Sequence, residues 1–142
     1  MTDDFHLQRF IDAQNRSGVY DQALRELREG RKRSHWMWFV FPQIAGLGHS
    51  AIAQTFAVSG REEAQAFLAH PVLGARLVQT SAALLDLDGT DPVAVFGGID
   101  AQKLRSSMTL FDTVAGDDEP VFRSVLDRYF GGERDQATTN RL

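Results

Sequence analysis

Arg31-Lys32-Arg33-Ser34-His35-Trp36-Met37-Trp38-Phe39-Val40-Phe41-Pro42-Gln43-Ile44-Ala45-Gly46-Leu47-Gly48-His49-Ser50 is the stretch on which the fold turns. It holds both tryptophans and two of the four histidines, and it ends in a Gly-x-Gly-His-Ser turn. From His35 to Phe41 nearly every residue is apolar, so periodicity fits a buried strand almost as well as a helix. The helical pattern of the rest of the chain decides for helix. Ser34 stands where an N-cap would, and Pro42 disfavours helix at Phe41 and marks its end. Gln43 to Gly48 then reads as a loop whose glycines permit positive φ or a close backbone approach. His49-Ser50 opens a helix through Phe56.

Upstream, Thr2, Asp3 and Asp4 offer N-cap oxygens to a helix carrying Leu7, Phe10 and Ile11 and running to about Asn15. Ser17-Gly18 breaks it. Tyr20, Leu24 and Leu27 mark one face of a second helix, which Gly30 is placed to end. Downstream, Ser59-Gly60-Arg61-Glu62 fits a capping box for a helix that stops near His70. Pro71 suits the first position of a long helix with an apolar stripe from Leu73 to about Leu87. Asp91-Pro92 repeats the cap-then-proline signal for a short helix to Phe96. Gly97-Gly98 breaks the chain, and Asp100 is read as the cap of a helix carrying Leu104, Met108 and Phe111. Pro120 begins another helix, which Gly131-Gly132 closes, and the tail has room for one or two helical turns. Strands of alternating β-branched residues are missing, and so are repeats and heptads. The pattern predicts an all-α fold, a compact orthogonal bundle of roughly seven to nine helices, as a single helical domain over 1–142.

Composition narrows the function classes. The chain has 142 residues, no cysteine and a formal net charge of -4. A chain of this length can bury a core without staples. The lack of cysteine excludes disulfides, thiolate catalysis and cysteine-ligated metal. The acidic first residues are unlike a signal peptide, and no apolar run reaches membrane-spanning length. The prediction is a soluble cytoplasmic protein. The charge argues against general nucleic-acid binding, with Arg31-Lys32-Arg33 as the local basic exception.

Ser34 to Gln43, followed by Gly46-Leu47-Gly48, resembles the signature of domain-of-unknown-function family 1810. His70-Pro71-Val72-Leu73-Gly74-Ala75-Arg76-Leu77 resembles a second block of it. Phe96-Gly97, Asp100, Lys103 and Ser106-Ser107-Met108-Thr109-Leu110-Phe111 resemble a third. The likeness spans nearly the whole chain. It implies the mainly α-helical fold of a mycobacterial hypothetical protein, and no activity, substrate, cofactor or catalytic residue. Members are sometimes labelled calpastatin, a long disordered inhibitor that this composition does not match. Phe56 is a departure, since the resemblance leads one to expect a tyrosine there.

Read from the residues, one constellation carries chemistry. Trp36 and Trp38 lie two apart, so on a helix they point to different faces. Packing explains both most simply, but one of them can wall a groove against which a planar ligand stacks. His35, between basic triplet and aromatic run, is a candidate general acid or base, or a donor to an anion. Gln43, Gly46, Gly48, His49 and Ser50 build a glycine turn into a helix start, where backbone N–H groups favour anions. Asp100, Lys103 and Ser107 line one side of a helix, and Lys103 with Ser107 can hold a phosphate or form a Ser–Lys nucleophilic pair. The plain alternatives are a solvated turn, a capping aspartate and small serines at a helix contact. His35, His49 and His70 match no local metal motif, so no metal site is predicted. The best reading is a pocket for a planar, anionic, nucleotide-like metabolite, built from the 34–50 stretch and the 100–107 helix. Whether it catalyses anything, and with what cofactor, the residues do not name. The alternative is a non-enzymatic interaction module that docks a protein partner or a second copy on the aromatic stretch. RNA binding through the basic triplet ranks third.

Overall fold

The computed structural model, which describes residues 3–142, folds the aromatic run as helix rather than strand. The helix is one turn long, α3 (Met37–Val40), and shorter than the sequence suggests. Ser34 does not cap it: Trp36 takes the N-cap position without a capping side-chain bond, and the Ser34 hydroxyl donates to Glu26 instead. Upstream, the Asp3 carboxylate accepts from the Leu7 and Gln8 amides and starts α1 (Gln8–Asn15). The cap expected of Thr2 lies outside the described residues. α2 (Val19–Glu29) ends at Gly30, as its sequence position indicates.

Downstream, the Ser50 hydroxyl accepts from the Ala53 amide and caps α4 (Ala51–Thr55). The capping box expected at α5 (Arg61–Ala69) does not form. Glu63, not Glu62, accepts from the Ser59 amide and hydroxyl, because Glu63 is buried against Arg9 while Glu62 faces solvent. α6 (Leu73–Leu85) starts two residues beyond Pro71, and the His70 imidazole Nδ1 accepts from the Val72 and Leu73 amides at its entry. Asp91 caps α7 (Pro92–Ala115) through the Val93 amide. Gly97, at φ 79° and ψ 171°, divides α7 into 92–96 and 98–115. Only glycine adopts that conformation readily. Asp100 is not the cap of the second piece; it lies inside the first turn and faces two lysines. α8 (Val121–Phe130) and α9 (Gln136–Thr139) complete the fold, with the Asp135 carboxylate capping α9 through the Thr138 amide.

No strand forms among the described residues. One isolated parallel bridge joins Ile44 to Val58, with Ala45 N–H to Val58 O at 2.8 Å and Val58 N–H to Gln43 O at 2.9 Å. It pins the glycine loop to the segment before α5. No helix among the described residues is long and apolar enough to cross a membrane.

α7 is the central element and packs on α5, α8 and α9; α6 bridges α2, α5 and α8. The core holds a chain of aromatic contacts, Phe39–Phe56–Phe10–Phe67–Phe111–Phe122, with ring centroids 5.0–5.9 Å apart. A second cluster joins Trp36, Phe41 and Phe96 at 6.2–6.5 Å. Tilted and edge-on pairs at these separations each add about 0.5–1.5 kcal/mol beyond area burial. Phe56 belongs to the first chain, so a phenyl ring there is explained by packing.

Candidate functional site

Glu26 sets the position of the decisive stretch. It is 1 % exposed, yet its carboxylate accepts five hydrogen bonds. Oε1 takes the Arg33 amide at 2.7 Å, the Ser34 amide at 3.0 Å and the Trp36 indole N–H at 3.0 Å. Oε2 takes the Ser34 hydroxyl at 2.6 Å and the Gln22 amide at 2.7 Å. Burial alone would push this carboxyl up. The donors from Ser34, Arg33, Gln22 and Trp36 outweigh it and hold the group at about 2. A buried carboxylate is tolerable only when satisfied in this way. Trp36 is thereby locked in the core at 0 % exposure, which removes it as a groove wall. Trp38, on the other side of the turn, stays half-buried.

Beside Trp38 lies a cleft of about 600 Å³. The glycine loop forms one wall with Gln43, Leu47 and Gly48. The start of helix 98–115 forms the second, with Gly98, Ile99, Gln102, Lys103 and Ser106. The third comes from Asp135 and Ala137 at α9. A narrow recess lined by Trp38, Ile44 and Phe56 shares Gln43 and Gly48 with the cleft. Lys103 Nζ stands 5.3 Å from the centroid of the Trp38 ring, which links the two spaces.

The charges here are unevenly matched. Asp100 pairs with Lys32 at 3.0 Å and only loosely with Lys103 at 3.7 Å. Lys32 is also tied to the Ser34 carbonyl at 2.5 Å and lies over the Trp36 ring. Two ammonium groups therefore share one carboxylate, and Lys103 is the less neutralised. Asp135 is different. Its oxygens accept from Gln102, Ser106 and both the amide and hydroxyl of Thr138, so it is saturated within the protein and fastens α9 to α7. The positive end of helix 98–115 also opens on the cleft through Gly98 and Ile99.

Of the residues singled out in the sequence, Gln43, Gly48 and Lys103 converge on the cleft and Trp38 adjoins it. Gly46 does not line it and lies beneath Arg141. Ser50 serves as the α4 cap and the His49 side chain is exposed, its carbonyl accepting from Gln54. His35 is exposed and makes no side-chain hydrogen bond among the described residues. Ser107 is wholly buried with its hydroxyl unpartnered, so it cannot meet a ligand beside Lys103 as expected. Gln102 and Ser106 line the cleft in place of Ser107, and Asp135 and Ala137 join them from α9. The first two share the α7 face with Lys103, but the α9 residues carried no periodic signal. Among the described residues, no three His, Asp or Glu side chains cluster as metal ligands.

These features define an all-α protein whose aromatic–glycine stretch walls a small-molecule-sized cleft. The chain belongs to the family described as protein of unknown function DUF1810, whose model matches residues 4–142. It is similar to the conserved hypothetical protein Rv1873 from Mycobacterium tuberculosis, at 46 % identity and a TM-score of 0.94. The likeness covers 99 % of this chain and 98 % of that one. No curated protein matches.

Proposed function

We propose that the cleft binds a small, cytoplasmic, anionic metabolite with a planar group, nucleotide-like in chemistry. The observation that carries this reading is Lys103. It is a partly buried ammonium, only loosely paired with Asp100, set over the Trp38 ring and lining a 600 Å³ cleft. A cation in such surroundings attracts an anion more strongly than one in open water. The helix terminus adds to the same potential. The volume is in the range of small-ligand pockets, and Trp38 adjoins it through the narrow recess that shares Gln43 and Gly48. The reading stops at binding. The Ser106 hydroxyl lies between the Asp135 carboxylate and the Gln102 carbonyl, and among the described residues no imidazole lines the cleft beside it.

Calorimetric titration with AMP, adenosine and inorganic phosphate tests this. AMP should bind most tightly, because it alone presents both ring and anion. Lys103→Gln should weaken it about tenfold or more, the worth of one charge-assisted contact, with little change in melting temperature. Equal AMP affinity in wild type and Lys103→Gln would sink the reading.

Ile99 favours the second reading, a docking patch for a protein. It is 78 % exposed at the lip of the cleft. Sedimentation velocity distinguishes the case of a second copy: self-association abolished by Ile99→Lys would support docking, and a monomer at all concentrations would count against it.

A further inference from the structure

Arg141 takes no part in the core, and its side chain lies on the glycine loop that walls the cleft. Ala137 of α9 lines that cleft, and Arg141 follows one helical turn later. Its guanidinium lies over the glycine loop: a Cβ built on Gly46 would be 3.0 Å from Cζ. Nη2 donates to the Gly46 carbonyl at 3.4 Å, a long bond open to solvent. Among the described residues this is the side chain's one hydrogen-bond acceptor. A guanidinium carries five N–H donors in a rigid fork suited to phosphate oxygens, so most of its capacity is unspent. Leu47, the residue after Gly46, is itself a wall of the cleft.

We propose that Arg141 is a second anion-binding residue of this site, and that the ligand's anionic part is an extended tail of the diphosphate class. The proposal rests on the anion-binding reading of the cleft given above. Lys103 holds the inner part of the tail, next to Trp38. Arg141 leaves the Gly46 carbonyl and takes the outer phosphate in a bidentate grip. Gly46 has φ 100° and no side chain, which leaves the guanidinium room to lie on the loop and to move off it. The long, solvent-exposed bond makes that exchange inexpensive. Two cations on separate elements, one lining the cleft and one on its loop wall, suit a tail longer than a single phosphate.

The test compares AMP with ADP by calorimetric titration of the full chain in three forms: wild type, Arg141→Gln and Arg141→Lys. Wild type should bind ADP about tenfold more tightly than AMP. Arg141→Gln should weaken ADP about tenfold, leave AMP within twofold, and so erase the preference. Arg141→Lys should restore part of it, since the charge returns without the fork. Melting temperatures should not move, because the side chain is exposed. Unchanged ADP affinity in Arg141→Gln, with Lys103→Gln still weakening both nucleotides, would overturn the role of Arg141 and leave the cleft reading standing. If neither nucleotide binds, or neither responds to Lys103→Gln, both readings fall together.

Discussion

Replacing Glu26 by glutamine should cost about 3 kcal/mol at neutral pH, and the cost should vanish in acid. The figure follows from the carboxyl's fall from 4.5 to about 2 on folding, each pH unit being worth about 1.4 kcal/mol. Because the folded value is the lower one, the contribution is fully present above 4.5. It shrinks below that, as the unfolded chain takes up the proton, and is gone once the folded carboxyl protonates near 2. Glutamine keeps an oxygen for the Arg33, Ser34 and Trp36 donors. It then turns an amide toward Gln22 and the Ser34 hydroxyl, where a carboxylate oxygen accepted before. The charge is lost and two contacts are reversed. Urea unfolding of wild type and Glu26→Gln at pH 7, 5 and 3 measures the difference. It should be largest at pH 7, similar at pH 5 and clearly smaller at pH 3. A constant difference across that range, or one under about 1 kcal/mol at pH 7, would refute the reasoning.

Two further outcomes bear on packing. Gly74→Ala should destabilise by at least about 3 kcal/mol, since its Cβ would meet the Leu68 carbonyl oxygen at 2.0 Å and neither backbone can yield cheaply; chemical denaturation measures it, and a loss under 1 kcal/mol would contradict the close approach of α5 and α6. Ser107→Ala should stabilise by about 1 kcal/mol and raise the melting temperature by ~2–4 °C, because a buried, unpartnered hydroxyl is removed. A fall in melting temperature would show that the hydroxyl has a partner after all.

Local signals read well from the chain alone. Gly30, Asp91-Pro92 and Gly97-Gly98 end or start helices through backbone chemistry that needs no distant partner. Local signals fall short where a distant residue decides. Glu62 and Glu63 both fit a capping role for Ser59, and Arg9 selects Glu63 from 54 residues away. Ser34 looks like a helix cap, but Glu26 on α2 claims its hydroxyl. Helical geometry separates Trp36 from Trp38, but only the Glu26 carboxylate decides which indole goes inside. The cleft was half legible: its glycine loop and lysine stand out by residue type, and its α9 wall does not. That wall depends on Asp135 meeting Gln102 and Ser106, a tertiary contact with no periodicity behind it.

The most direct measurement is a tryptophan fluorescence titration with AMP of wild type, Trp38→Phe and Lys103→Gln. Trp36 is sealed in the core, so a ligand in the cleft can report only through Trp38. Saturable quenching in wild type, absent in Trp38→Phe and shifted about tenfold to higher AMP in Lys103→Gln, is the predicted result. Quenching that persists unchanged in Trp38→Phe, or no saturable response in wild type, would contradict a ligand site at this cleft.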